Sequence, residues 1–136
     1  MTIVVCVDDR YGMLFNGRRQ SQDSVLRSRL LERAEGRKLW MNSYSAKQFS
    51  QLPQNAMVHE DFLQMAGPGD ICFAENVDVT DPLRQCDQLI LYCWNRHYPA
   101  DLFFAKELLE QWTLRSTWDF AGSSHDTITE NVYEKN

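Results

Sequence analysis

The chain has 136 residues, a formal net charge of -5 and 43% hydrophobic residues, which suits one folded domain over residues 1–136. The acidic charge argues against a protein that coats nucleic-acid phosphates or an anionic membrane surface. No apolar stretch approaches the roughly 20 residues of a membrane span, and no secretion signal opens the chain, so we expect a cytoplasmic protein. Four cysteines outside any CxxC pair fit reduced thiols in that compartment: Cys6, Cys72, Cys86 and Cys93.

The first predicted strand covers residues 3–7, an apolar run in which four of the five side chains are β-branched. It ends in the carboxylate pair Asp8-Asp9 and continues into a long loop that contains Gly12 and Gly17. A strand, a glycine-containing loop and a helix with an acid near its first turn form a plausible frame for a ligand site.

That helix is predicted over residues 24–35, where Leu26 and Leu30 recur at helical spacing. Ser21 is a candidate N-cap, because a side-chain oxygen there can accept an otherwise unpaired backbone N–H. Asp23 in the first turn suits the positive end of the helix dipole.

The remaining elements alternate between short strands and short helices. The strand near residue 90 is apolar almost throughout, which is typical of burial on both faces in a parallel sheet. We therefore predict an α/β fold: a three-layer αβα sandwich with a mostly parallel central sheet and a C-terminal antiparallel hairpin. In chain order we predict a strand over 38–41, a short helix from Ser43 or Ser45 to Leu52, a minor strand over 56–58, a helix over 60–66, a strand over 70–74, a helical turn or two from Pro82, a strand over 88–94, and a hairpin of 112–120 and 127–135.

Ligands of such sheets bind at the carboxyl ends of the strands. Polar turn residues alone would explain each strand end, because loops face water. The convergence of these polar strand ends at one edge nevertheless predicts a ligand site. We expect Asp23, Arg18 and Arg19 to lie at the same edge. The predicted inner strands end in Asp8-Asp9, Asn42-Ser43, Glu75-Asn76 and Asn95-Arg96-His97.

The order and spacing of these elements resemble dihydrofolate reductase. Gly12-Met13 and Asp23 occupy places similar to that family's loop and its substrate-binding acid, so the resemblance implies a catalytic role for Asp23. Ser45 falls where the family has a threonine near its cofactor, and the resemblance implies NADPH as that cofactor. Further similar segments are Lys38-Leu39-Trp40-Met41, Cys86 to Tyr92, Asp101-Leu102-Phe103-Phe104, and the terminal hairpin.

Two departures from the family bear on the cofactor. Asn42-Ser43-Tyr44-Ser45 replaces the Gly-Arg-x-Thr motif, and Glu75-Asn76 replaces the Gly-Gly that lets backbone approach a pyrophosphate. These changes weaken the case for reductase activity and leave the cofactor unknown. We expect binding of a nucleotide- or pterin-like small molecule at the strand ends. Besides Asp23, the expected ligand-binding residues are Asp9, Arg18, Arg19, Asn42, Tyr44, Ser45, Glu75, Asn76 and Tyr92, with no metal ligands among them.

Two further interpretations stay open. The opening segment resembles a small bacterial family that carries a ribonuclease Z label, but the HxHxDH motif of that zinc enzyme is absent, and the only histidines are His59, His97 and His125. A metal-dependent RNA phosphodiesterase would instead use clustered carboxylates to hold Mg²⁺. The carboxylates available to hold this metal ion are Asp8, Asp9, Asp23 and Glu75.

The other interpretation is a non-catalytic domain that binds another protein or a second copy of itself.

Overall fold

The chain forms a large sheet, a small sheet and three helices, and the computed structural model describes all 136 residues. No helix in the structure has both the length and the apolar character needed to cross a membrane. The elements are β1 (Thr2–Val7), β2 (Gly12–Phe15), β3 (Arg18–Arg19), α1 (Ser24–Arg33), β4 (Leu39–Met41), α2 (Ser43–Ala46), β5 (Ala56–Val58), α3 (Phe62–Met65), β6 (Ile71–Phe73), β7 (Gln88–Cys93), β8 (Leu102–Phe103), β9 (Trp112–Phe120) and β10 (Ile128–Lys135), with 3-10 turns at Pro82–Gln85 and Lys106–Gln111.

The large sheet has seven strands in the order β5-β4-β6-β1-β7-β10-β9. The five strands from β5 to β7 are parallel, whereas β10 runs antiparallel to both β7 and β9. This confirms the predicted mostly parallel α/β sheet with a C-terminal antiparallel hairpin. The carboxyl ends of β1, β4, β6 and β7 consequently lie along one edge of the sheet.

The core consists of two apolar clusters, one on each face of the large sheet. Alternate residues of β1 point to opposite faces, so that Val5 packs in one cluster and Val4 in the other. Helix α1 covers the Val4 side through Leu26 and Leu30, both buried. Each such side chain contributes roughly 1.5–3 kcal/mol by leaving water, and β1 ties the two layers together.

Helix α1 begins at a different cap from the predicted one. Asp23, rather than Ser21, is the N-cap, and its Oδ1 accepts the N–H of Val25 at 2.9 Å and of Leu26 at 3.3 Å. Helix α2 is likewise capped by Asn42 and ends at Ala46, far short of Leu52.

The segment predicted as a long loop after β1 instead contains two short strands, β2 and β3. Asn16 and Gly17 have φ values of 52° and 73° and form the two-residue turn of a β2–β3 hairpin. Asparagine and glycine favour this turn because both tolerate positive φ. Strand β8 pairs with the other side of β2, which completes a three-stranded sheet. This small sheet packs beside the carboxyl edge and carries Arg18 and Arg19.

The C-terminal hairpin contains a bulge in strand β9. The register between β9 and β10 shifts between Val132 and Tyr133, so Arg115 has no partner in the ladder. Trp112 therefore packs in the cluster on the Val5 side, whereas Phe120 packs on the Val4 side. The aromatic residues at the two ends of β9 thus pack on opposite faces of the large sheet.

Candidate functional site

An ion pair closes the carboxyl edge of the sheet between β3 and β6. The guanidinium of Arg19 donates from Nε to Glu75 Oε2 at 3.0 Å and from Nη2 to Glu75 Oε1 at 3.2 Å. The carboxylate is only 7% exposed and the arginine side chain 20% exposed. Such a two-point pair is strong and orients both groups. The ion pair therefore joins the end of β6 to β3.

Tyr44 completes the closure from α2. Its hydroxyl accepts the backbone N–H of Arg19 at 2.7 Å, and its ring lies 4.4 Å from the guanidinium carbon. Beside it, Asn42 donates from Nδ2 to Asn76 Oδ1 at 2.7 Å. The structure thus brings together five of the predicted site residues: Arg19, Asn42, Tyr44, Glu75 and Asn76.

Ser45 and Tyr92 have different surroundings from those five residues. Ser45 is buried in α2, and its hydroxyl has no hydrogen-bond partner. Tyr92 is fully buried and donates its hydroxyl to Glu130 at 2.8 Å, on the face covered by α1. Burial and the neighbouring Glu130 raise the pKa of Tyr92. The structure does not bring Tyr92 to the strand-end edge.

The carboxylate pair after β1 divides into a buried and an exposed member. Asp8 accepts the backbone N–H groups of Arg10 at 2.9 Å, Gly12 at 2.7 Å and Tyr98 at 3.1 Å. Burial alone would raise the pKa of Asp8, but these hydrogen bonds outweigh it and lower that pKa. Asp8 thereby fixes the turn that launches β2, while the side chain of Asp9 faces solvent.

A hollow of about 320 Å³ opens beside this closed edge. Arg18 lines it, and its guanidinium makes no hydrogen bond or ion pair with the protein. The ring of Phe15 is 47% exposed, and the amide oxygen of Gln20 is enclosed without a donor. An arginine, an exposed aromatic ring and a glutamine with an unpaired amide oxygen therefore line the same hollow. The lining residues are Phe15, Asn16, Arg18, Arg19, Gln20, Tyr98 and Pro99.

Asp23 lies at the same edge but in a closed environment. Each of its carboxylate oxygens accepts three hydrogen bonds, and its side chain has no solvent exposure. Besides the two helix N–H groups, the donors are Ser123, Ser124 and His125 in the loop between β9 and β10. Burial opposes ionisation, but these hydrogen bonds outweigh it and hold the pKa of Asp23 well below its ordinary value. The catalytic role that the resemblance implies for Asp23 stays a prediction.

His125 is the residue at this edge that sequence reasoning missed. The sequence places His125 between the two predicted strands of the hairpin, 112–120 and 127–135, whereas the structure buries the imidazole against Trp94, with ring centroids 4.6 Å apart. Its Nδ1 lies 3.1 Å from Asp23 Oδ2, and its Nε2 lies 3.1 Å from Ser21 Oγ and 3.0 Å from the Tyr98 hydroxyl. A contact across about a hundred residues leaves no local sequence signal.

A second hollow, of about 520 Å³, follows β6 and has an acidic lining. It begins directly after Glu75-Asn76, where the resemblance would place the pyrophosphate of a dinucleotide. Four carboxylates there would repel a polyanion, and Glu75 itself is committed to Arg19. The residues present do not fit NADPH. The four acids are Glu60, Asp61, Asp78 and Asp81.

Metal-ligand geometry is also lacking. No group of three or more histidine, cysteine, aspartate or glutamate side chains is arranged to hold a metal ion. The cysteines are all unpaired thiols, and burial raises the pKa of Cys72 to about 12, which keeps it protonated.

Comparison with known proteins places the fold. No protein-family model and no curated protein sequence matches the chain. Among solved structures, the chain is similar to dihydrofolate reductase from Enterococcus faecalis complexed with NADP(H) and RAB-propyl. The TM-score is 0.71 at 10% identity, over 99% of this chain and 95% of that one. At this identity the likeness shows the fold alone, and the predicted dihydrofolate-reductase-like fold is confirmed.

Proposed function

We propose that this domain binds a nucleotide- or pterin-like small molecule at the carboxyl edge of its sheet, in the hollow between Phe15, Arg18 and Tyr98, and that it is not an NADPH-dependent folate reductase. The observation that carries the proposal is the unpaired guanidinium of Arg18 beside an exposed aromatic ring. A phosphate or carboxylate would satisfy the cation, and a planar ring would cover Phe15.

The size and position of the hollow support this proposal. A volume of about 320 Å³ lies at the small end of the range for ligand pockets. The hollow also lies beside the carboxyl ends of the strands, where ligands of open α/β sheets bind. The similar enzyme from Enterococcus faecalis was solved with NADP(H), which supports small-molecule binding on this fold.

We do not expect this chain to bind the NADP(H) of that enzyme. The Arg19–Glu75 pair joins the end of β6 to β3, and the acidic lining beyond it disfavours a polyanion. We therefore expect the ligand to be smaller than a dinucleotide and to bind on the Arg18 side. The metal-dependent phosphodiesterase has no observation in its favour, because Asp8, Asp23 and Glu75 each accept hydrogen bonds from other groups.

Thermal unfolding with added ligands tests the proposal. We expect a nucleoside monophosphate or a pterin at millimolar concentration to raise the Tm, since binding to the native state must stabilise it, whereas NADPH leaves the Tm unchanged. Arg18→Ala should abolish the rise. Arg10→Ala is the matched control, because Arg10 is an exposed arginine in the preceding turn that does not line the hollow. A Tm that no nucleotide or pterin moves would refute the proposal.

A further inference from the structure

Three side chains at the sheet edge are arranged in a line: a carboxylate, an imidazole and a hydroxyl. Asp23 Oδ2 lies 3.1 Å from His125 Nδ1, and His125 Nε2 lies 3.1 Å from Ser21 Oγ. The aspartate and the histidine are 0% and 1% exposed in their side chains, whereas Ser21 is partly exposed. A buried acid and base behind a reachable hydroxyl is the arrangement of a serine nucleophile with its general base.

The hydrogen bonds fix the tautomer that such a base requires. Asp23 is held as the carboxylate, so Nδ1 carries the proton and donates to it. The hydroxyls of Ser21 and Tyr98 both approach Nε2, which is consistent with a lone pair on that nitrogen. The stacked indole of Trp94 holds the plane of the ring. The imidazole is thus oriented to take a proton from Ser21.

Two backbone N–H groups that follow Ser21 in the chain are free to donate to a developing oxyanion. The backbone N–H groups of Gln22 and Asp23, the two residues after Ser21, donate to no acceptor in the protein. Free backbone N–H groups next to a nucleophile are the kind of donor that stabilises the oxyanion of a tetrahedral intermediate. Their freedom is a second observation, independent of the histidine contacts.

We propose that Ser21, His125 and Asp23 form an acyl-transfer site that hydrolyses small carboxylic esters. Ser21 Oγ attacks the carbonyl carbon while its proton passes to His125 Nε2, and Asp23 orients the resulting imidazolium. That proton then leaves with the alkoxide as the alcohol, and an acyl ester remains on Ser21. Water, deprotonated by His125, hydrolyses this ester to the carboxylic acid and regenerates the serine. The activity goes beyond ligand binding at Arg18 and does not depend on it.

A fluorophosphonate probe with mass spectrometry tests the nucleophile directly. We expect the wild-type protein to gain one adduct, on Ser21, and Ser21→Ala to gain none. Ser24→Ala is the matched control, since Ser24 is an exposed serine three residues away whose hydroxyl makes no hydrogen bond; it should be labelled like the wild type. Hydrolysis of p-nitrophenyl acetate should fall at least about 10²-fold in Ser21→Ala and His125→Gln.

The test separates an effect on the proposed nucleophile from misfolding and from ligand binding in the neighbouring hollow. Circular dichroism decides whether His125→Gln is folded, and if it is not, the Ser21→Ala and Ser24→Ala pair still decides the question because both side chains reach the surface. The two proposals have separate readouts, the ligand-dependent Tm for the hollow and covalent labelling for Ser21, so that a failure of the ligand proposal is distinguishable from a failure of this one. Absence of an adduct on Ser21, or equal ester turnover in Ser21→Ala and the wild type, would overturn the proposal.

Discussion

Gly122 lies directly against the carboxylate of Asp23, so position 122 has no room for a side chain. A Cβ there would overlap Asp23 Oδ2 and lie 2.9 Å from Ile128 Cδ1. Gly122→Ala must therefore push the β9–β10 loop away from the N-terminus of α1. We expect a loss of roughly 1–3 kcal/mol in the free energy of unfolding, because hydrogen bonds to a buried carboxylate are lost.

Urea unfolding measures this effect. Gly67→Ala is the matched control, because the nearest atom to a Cβ there is 3.9 Å away and the backbone needs no positive φ. It should change the free energy of unfolding by less than about 0.5 kcal/mol. Equal midpoints for the two variants would mean that the loop gives way freely and that the contact with Asp23 contributes little.

Individual residues show where sequence reasoning succeeds and where it stops. Asp23 was expected over the strand ends because it follows the loop after β1, and the structure places it at that edge. Its closure by Ser123, Ser124 and His125 could not be predicted, because those residues are about a hundred positions away in sequence. Contacts of this kind depend on how the hairpin folds back, which no local pattern encodes.

At the scale of elements, Glu130 joins β10 to α1. Its carboxylate is 1% exposed and accepts hydrogen bonds from Arg29 at 2.9 Å, Arg33 at 2.6 Å and Tyr92 at 2.8 Å. Burial would raise its pKa, but these donors outweigh burial and lower the pKa from 4.5 to about 2. The ionised form therefore stabilises the fold above pH 4.5, and this contribution is lost as the pH falls through about 2.

Glu130→Gln tests this linkage. We expect the variant to be less stable at pH 7 by about 2 kcal/mol, since two arginines lose their partner. Between pH 5 and pH 2 its stability should fall less steeply than that of the wild type, because the variant cannot titrate at this position. Urea unfolding across that range gives both slopes. Glu134→Gln, whose partner Arg115 is 58% exposed on the same hairpin, should keep the wild-type slope.

The Arg19–Glu75 pair holds the small sheet against the large one. A double-mutant cycle with Arg19→Ala and Glu75→Ala should give a coupling energy of roughly 1–3 kcal/mol, because both groups are largely removed from water. The matched control is the half-exposed Arg115–Glu134 pair, for which we expect less than about 1 kcal/mol. If the buried pair couples no more strongly than the exposed one, then it does not hold the edge closed.

The strands of the small sheet differ in how far the sequence predicts them. Asn16-Gly17 between Phe15 and Arg18 is a recognisable hairpin signal, and β2 and β3 could have been predicted from it. The two residues of β8 carry no such signal, since they become a strand only by pairing with β2. The bulge at Arg115 was equally hidden, because it exists only in the register between β9 and β10.

At the scale of the molecule, the resemblance of the elements to dihydrofolate reductase in order and spacing predicted that fold, although identity to the similar enzyme is only 10%. Apolar runs specify which segments become inner strands, and right-handed crossovers leave few ways to order them. The surface features that support the proposed function, such as the unpaired Arg18, lie in short segments such as the two-residue strand β3. Fold was therefore predictable while the placement of the site was only partly so.

We predict that the chain unfolds as one cooperative unit, because β1 supplies side chains to both apolar clusters. Val4 packs beneath α1, and Val5, the next residue in the chain, packs on the opposite face of the large sheet. Val4→Ala and Val5→Ala are thus a matched pair that opens a cavity in one layer each, and each should lower the free energy of unfolding by roughly 1–3 kcal/mol.

Two probes observe the transition in each variant: tryptophan fluorescence and far-ultraviolet circular dichroism. Cooperative unfolding requires the two curves to coincide in both variants, with the whole transition shifted to lower urea concentration. Suppose instead that Val4→Ala moved one probe and left the other unchanged. The layer under α1 would then unfold independently, and the sheet would not be the single structural unit that holds Arg18, Ser21 and His125 in register at its edge.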